Sequence, residues 1–104
     1  MQFVVIAEHA PELCPMSNAK VRDMAKQMAM EMPNLAEKLG VNIITTNVFG
    51  PDHVIHTVAE ADNIEAVREL VVQSRIAQWN KTQIHATWSM DEAMSKADQL
   101  PAVF

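Results

Sequence analysis

Four short apolar runs along the chain have the length and composition of β-strands. Residues 2–8 form the first run, which is rich in β-favouring types and suits a buried strand. Residues 41–48 and 53–60 lie on either side of a turn that contains Gly50 and Pro51, and residues 82–88 form the last run. The pattern therefore predicts four strands.

The segment after the first run has apolar side chains at the spacing of an amphipathic helix. The repeating positions are Val21, Met24, Ala25 and Met28. Ser17 or Asn18 is a suitable N-cap, and Gly40 is a suitable C-terminal residue. Pro33 cannot continue the hydrogen-bond ladder, so we expect the helix to kink or break near Met32.

A second helix and a short terminal helix follow the third and fourth runs. Residues 62–65 form a D-x-x-E capping box, and the helical spacing that follows fades near Gln78. Residues 89–92 form an S-x-x-E capping box that opens a shorter helix, which Pro101 ends. The element order is therefore β-α-β-β-α-β with one added helix.

This order predicts a single α+β domain over residues 1–104, a ferredoxin-like sandwich. We expect an antiparallel sheet with strand order 4-1-3-2 and with both long helices on one face. The other face would remain apolar, which favours burial against a second copy in a symmetric homodimer. The side chains expected on that open face are Phe3, Val5, Val54 and Val58.

Two short segments resemble the GYD-domain relatives of the dimeric α/β-barrel superfamily. They are the turn and strand at residues 50–55 and the strand-to-helix step at residues 59–62. Asp52 and His53 stand where that group has its Tyr-Asp pair. The resemblance implies a ferredoxin-like fold and a dimer whose two sheets enclose a barrel. The wider superfamily includes haem-binding and haem-degrading proteins and cofactor-free oxygenases, so the resemblance leaves the function open.

Charge and composition exclude several classes of partner. The chain has 13 acidic and 8 basic residues, a net charge of −5, and no basic stripe of the kind that neutralises phosphates. This argues against nucleic acid and against anionic membrane surfaces as partners. No apolar run reaches the roughly 18 residues of a membrane span, and the N-terminus lacks the basic region of a signal peptide. With a single cysteine, these features predict a cytoplasmic protein.

The four histidines, His9, His53, His56 and His85, are the main candidates for chemistry. In the predicted topology all four lie toward one end of the sheet. If Val4, Ile55 and Ile84 face the helices on their respective strands, strand alternation places His9, His56 and His85 together on the open face. Three imidazoles there could bind zinc, copper, nickel or iron. Cys14, His53 and Asp52 are possible additional residues of this site.

Other interpretations of the same residues stay open. The histidines could form only structural hydrogen bonds, or one could serve as a general base or a haem ligand, although haem is the less favoured cofactor. Cys14 precedes a helix N-terminus, which favours negative charge, and it could be a nucleophile, a sulfur carrier or an inert thiol. An enzyme or carrier for a small apolar molecule in the barrel, and a structural or assembly protein, are therefore alternatives to metal binding.

Overall fold

The computed structural model describes residues 1–104 and contains four strands, four helices and two short 3₁₀ turns. The strands are β1 (Gln2–Glu8), β2 (Asn42–Val48), β3 (Val54–Glu60) and β4 (Lys81–Ala86). The helices are α1 (Ala19–Leu39), α2 (Ile64–Gln73), α3 (Ile76–Trp79) and α4 (Met90–Asp98). The 3₁₀ turns are Pro11–Leu13 and Gly50–Asp52.

The strands form one antiparallel sheet with the order β2-β3-β1-β4. This confirms the predicted strand order, and the arrangement is consistent with a ferredoxin-like α+β fold. β1 is a central strand because it pairs with both β3 and β4. Its nearly continuous apolar sequence suits that position, where neighbours cover both edges.

The main core lies on one face of the sheet, beneath α1 and α2. Phe3 is fully buried there and lies opposite Ala59 of β3 and Ala86 of β4. These small side chains leave room for the aromatic ring. Val67 of α2 and Ala36 of α1 belong to the same buried cluster.

The predicted orientation of β1 is wrong. Phe3 and Val5 face the helices, whereas Val4 and Ile6 lie on the open face. β1 is apolar at every position between Phe3 and Ala7, so alternation provides no polar marker of the solvent side. The predicted faces of β3 and β4 are correct, because the partners of Phe3 on both strands belong to the helix-covered face.

Of the kink or break expected near Met32, the break does not occur. α1 is continuous from Ala19 to Leu39 with Pro33 inside it. A proline removes only one ladder hydrogen bond, and here both Pro33 and Ala29, whose carbonyl loses its donor, are exposed to water. Solvent can therefore satisfy the freed carbonyl.

The helix ends mostly follow the predicted capping chemistry. The Asn18 side chain accepts a hydrogen bond from the Val21 amide, and Gly40 ends α1 in the left-handed conformation. In α2 the cap is Asn63 instead of the expected Asp62. Ser89 caps α4 as predicted.

α4 and the C-terminal tail lie away from the core. None of the residues of α4 is buried, and β4 ends at Ala86, earlier than predicted, so that Trp88 is exposed. None of the helices combines the length and the apolarity that a membrane crossing demands.

Candidate metal centre

Three potential metal ligands meet at the end of β1 that leads into α1. One ring nitrogen of His9, one of His53 and the Cys14 sulfur all lie within 4.8 Å of one another. Cys14 is buried, and the two histidines are half-buried. The chain contains no second group of three such residues.

The backbone around Cys14 holds the thiol in place at the start of α1. The Cys14 carbonyl accepts hydrogen bonds from the amides of Ser17 and Asn18, at 2.9 and 2.8 Å. The Asn18 side-chain amide also donates to the Glu12 carbonyl at 3.1 Å. The residue that caps α1 therefore also fixes the loop that carries the cysteine.

His53 has an uncommon backbone conformation. Its φ angle of 57° lies in the left-handed region, where histidine occurs more often than most side chains but at some cost in energy. Its amide donates to the Gly50 carbonyl, and its carbonyl accepts from the His9 amide at 3.1 Å. This last bond places the two histidines side by side.

Asn80 determines which nitrogen of His9 carries the proton. The Asn80 side-chain Nδ2 donates to the Ile76 carbonyl at 3.0 Å, so the other atom of the amide, Oδ1, is the one that faces His9. Oδ1 lies 2.9 Å from His9 Nδ1 and can only accept a hydrogen bond. Nδ1 must therefore donate, which leaves a lone pair on Nε2 of the neutral ring.

Two ring nitrogens of the cluster lack any hydrogen-bond partner. They are His9 Nε2 and His53 Nδ1, and both atoms are buried. A buried polar atom without a partner costs about 1–3 kcal/mol, so native proteins rarely retain one without a reason. A bound metal ion would supply the missing partner for both nitrogens.

Aromatic side chains surround His9 and restrict access of water. The Trp79 ring centroid is 5.1 Å from that of His9, and the His53 ring meets His9 edge-on at 5.3 Å. Trp79 is buried. Trp79 and His53 therefore pack against two sides of the His9 ring.

A large half-open cavity lies next to the cluster. Its volume is about 1070 Å³, and it extends between α1 and the β2–β3 side of the sheet. His9 and Cys14 both contribute to its wall, whereas His53 does not. A metal held by the three side chains would therefore have its free side toward this cavity.

The structure does not bring together His9, His56 and His85, which the sequence placed on one face. His56 lies opposite Ile6, and His85 lies opposite Val4, so both point to the open face of the sheet. His9 has the same parity as Phe3 and belongs to the helix-covered side. The reversed assignment of β1 is the physical reason for this difference.

The possible additional residues have different outcomes. Cys14 and His53 lie beside His9. Asp52 is exposed in the 3₁₀ turn Gly50–Asp52 and is not among the clustered ligands. Its position in the turn is one that aspartate commonly occupies.

Neither Asn80 nor its contact with His9 was predicted from the sequence. The strand register indicates this contact. Glu8 pairs with Lys81, so His9, which follows Glu8, and Asn80, which precedes Lys81, lie opposite each other. A polar residue just before the fourth strand should therefore face the histidine that follows the first.

The donor set suits a four-coordinate metal with one free position. Metal–nitrogen bonds of about 2.0–2.1 Å and metal–sulfur bonds of about 2.3 Å place tetrahedral ligands roughly 3.3–3.6 Å apart. The observed separations of up to 4.8 Å require the side chains to converge by small rotations. Three protein ligands with an open fourth position are the pattern of catalytic zinc sites.

Neither a family model nor a curated protein matches this chain. The resemblance to GYD-domain relatives therefore stays a prediction, and so does the barrel-enclosing dimer that it implies. What the structure establishes is an α+β protein with a four-stranded antiparallel sheet, four helices and a compact His9–Cys14–His53 cluster.

Proposed function

We propose that this protein binds one transition-metal ion through His9, Cys14 and His53. The observation that carries the proposal is the pair of buried, unpartnered ring nitrogens beside a buried thiol. Asn80 adds the outer-shell hydrogen bond that metal-binding histidines commonly have, and it leaves His9 Nε2 free to coordinate.

The donor types favour zinc or copper over nickel and iron. A thiolate selects zinc and copper(I), and imidazole accepts zinc, copper, nickel and iron, so zinc and copper satisfy both kinds of donor. Oxygen-preferring ions such as magnesium and calcium are disfavoured because no carboxylate belongs to the cluster.

The direct test is elemental analysis and native mass spectrometry of protein purified without an affinity tag. We expect about one zinc or copper per chain, or uptake of one equivalent when the metal-free protein is titrated. Titration with Co²⁺ should produce a thiolate-to-metal charge-transfer band that Cys14→Ser abolishes.

Histidine substitutions on the two faces of the sheet provide a matched control. His9→Asn and His53→Asn should each remove the stoichiometric metal, and asparagine tolerates the left-handed backbone at position 53. The same change at His56 or His85 should leave the metal in place. Loss of metal in His56→Asn or His85→Asn alone would overturn our assignment and support a site on the open face.

A second function is favoured by the His9–Asn80 hydrogen bond. A cysteine, a histidine base and an asparagine that orients the base form the catalytic set of one class of thiol enzymes. Here Cys14 would be the nucleophile, and the free Nε2 of His9 would accept its proton. His53 has no role in that arrangement, although its Nδ1 is equally buried and unpartnered. For this reason we rank the thiol-enzyme function second.

The role of His53 separates the two functions. In metal-free protein, the rate of Cys14 alkylation by iodoacetamide reports the reactivity of the thiol. A nucleophile activated by His9 predicts at least a tenfold slower rate in His9→Asn and little change in His53→Asn. Equal rates in both variants, together with loss of metal from both, would favour metal binding.

We also propose that the protein acts as a homodimer. The radius of gyration is 16.3 Å, against about 13 Å for a compact chain of this length, in part because α4 projects from the core. The uncovered face of the sheet carries the apolar side chains Val4, Ile6, Val54 and Val58. A second copy packed on this face would remove them from water.

A further inference from the structure

The cavity between α1 and the sheet is large for a domain of this size. At about 1070 Å³ it reaches the upper end of the range for small-molecule sites. Only Val21 and Ala36 of α1 are buried, and the helix borders the cavity from Met24 to Glu37. The methionines of the predicted apolar stripe are part of this wall.

The wall of the cavity is mainly apolar and adaptable. Thioether side chains project from one side, and branched or aromatic side chains from the other. The principal members are Met24, Met28, Met32, Ile43, Ile55 and Trp79. Flexible methionines adjust to differently shaped apolar molecules, so this wall suits hydrophobic ligands of more than one shape.

The charges around the cavity restrict the ligand further. No lysine or arginine lines it, and Glu37 is its one acidic residue. A phosphorylated or polyanionic ligand would therefore find no counter-ion. His9 and Cys14 lie together in the wall and mark the end at which the metal ligands cluster. The other uncharged polar residues of the wall are Asn42, Thr46 and Ser74.

We propose that the cavity binds an uncharged, largely apolar small molecule whose single polar end group points to His9 and Cys14. The orientation of the ligand rests on the proposed metal function, because a metal there offers its free position to that end group. The apolar binding itself does not depend on the metal. The first part of the test therefore uses metal-free protein.

The neutral fluorophore N-phenyl-1-naphthylamine is the probe for the apolar cavity. Metal-free protein should bind it with increased emission and with energy transfer from Trp79. The Trp88→Phe variant leaves Trp79 as the only tryptophan and changes an exposed side chain, so it should retain the transfer. Absence of probe binding in metal-free wild type would overturn the proposal.

Matched tryptophan substitutions on α1 locate the bound probe. Ala25 lines the cavity and Ala19 is exposed on the same helix outside it. Ala25→Trp should lower probe affinity by at least about tenfold, whereas Ala19→Trp should leave it unchanged. Equal effects of the two substitutions would overturn the location, and the energy transfer in Trp88→Phe decides the matter if Ala25→Trp does not fold.

The orientation is tested on zinc-loaded protein with two hydroxamic acids that share one zinc-binding group. Octanohydroxamic acid should bind at least about 100-fold more tightly than acetohydroxamic acid, because each buried methylene adds to affinity. Equal affinities would overturn the orientation. If zinc fails to bind while the fluorophore binds, the metal proposal fails and the apolar site stands.

Discussion

At the scale of single residues, the contact between His9 and Asn80 does most to define the site. It fixes one tautomer of the imidazole, because the asparagine amide is itself oriented by the Ile76 carbonyl. A metal ligand held in this way does not lose rotational freedom on binding. Asn80 is therefore a positioning residue, which acts on a metal through His9.

We expect Asn80→Ala to lower zinc affinity by about 10–100-fold with all three ligands present. Competition with a chelating dye measures this change. Asn80→Asp retains an acceptor for His9 Nδ1 and should keep affinity within about tenfold of the wild type. Asn47→Ala, on exposed β2, is the control. Similar affinity in Asn80→Ala and the wild type would contradict the positioning role.

We expect His53 to lower the free energy of unfolding of the metal-free protein. His53→Gly removes both the left-handed strain and the unpartnered Nδ1, so we expect the free energy of unfolding to rise by about 1 kcal/mol while metal binding is lost. Arg75→Gly removes the same backbone strain outside the site and should stabilise less. Urea unfolding measures both changes, and a clear destabilisation by His53→Gly would show that its ring packing outweighs the strain.

At the scale of secondary structure, α1 serves the cavity more than the core. It runs without interruption over 21 residues, yet only two of them are buried. It borders the cavity from Met24 to Glu37, and its C-terminal half also reaches the core, through Ala36, Leu35 and Leu39. The regularity of this wall depends on the hydrogen-bond ladder of the helix, which Pro33 interrupts at an exposed position.

This dependence predicts that Pro33→Ala stabilises the protein. The substitution restores one helical hydrogen bond and removes a ring that is unfavourable inside a helix, so the free energy of unfolding should rise by about 1–3 kcal/mol. Asn34→Ala, at the next exposed position, should change it by less than about 1 kcal/mol. No gain for Pro33→Ala in urea unfolding would show that α1 bends at this residue to fit the cavity.

At the scale of the whole molecule, an isolated chain buries few of its residues. Only 15 of 104 are buried, and the molecule measures 54 × 32 × 18 Å. One face of the sheet and the apolar side of α4 have no partner within the chain. A symmetric dimer would cover the open face of the sheet with a single contact.

We therefore expect Ile6→Lys to convert the proposed dimer into a monomer, because Ile6 lies on the open face of a central strand, β1. Light scattering after gel filtration measures the mass. Val72→Lys, which introduces the same charge at an exposed apolar residue of α2, should leave the dimer intact. A wild-type monomer at all accessible concentrations would contradict the dimer, and so would dissociation by Val72→Lys alone.

The element order, the strand order and most helix ends could be predicted from the sequence. These features depend on local chemistry: turn residues, the capping side chains of Asn18 and Ser89, the left-handed glycine Gly40, and the short-range rules that connect neighbouring strands. The sequence also indicated that His9, His53 and Cys14 lie at the same end of the sheet.

The tertiary structure was needed to establish which face of β1 is buried, and therefore which residues form the site. A central strand that is apolar at every inner position can bury either of its two faces. Here the small side chains of Ala59 and Ala86, opposite Phe3, leave room for its ring on the helix-covered face. That choice places His9 with Cys14 and His53 and separates it from His56 and His85. The contact with Asn80 and the cavity beside α1 depend on side chains far apart in the chain, whose meeting is decided by packing.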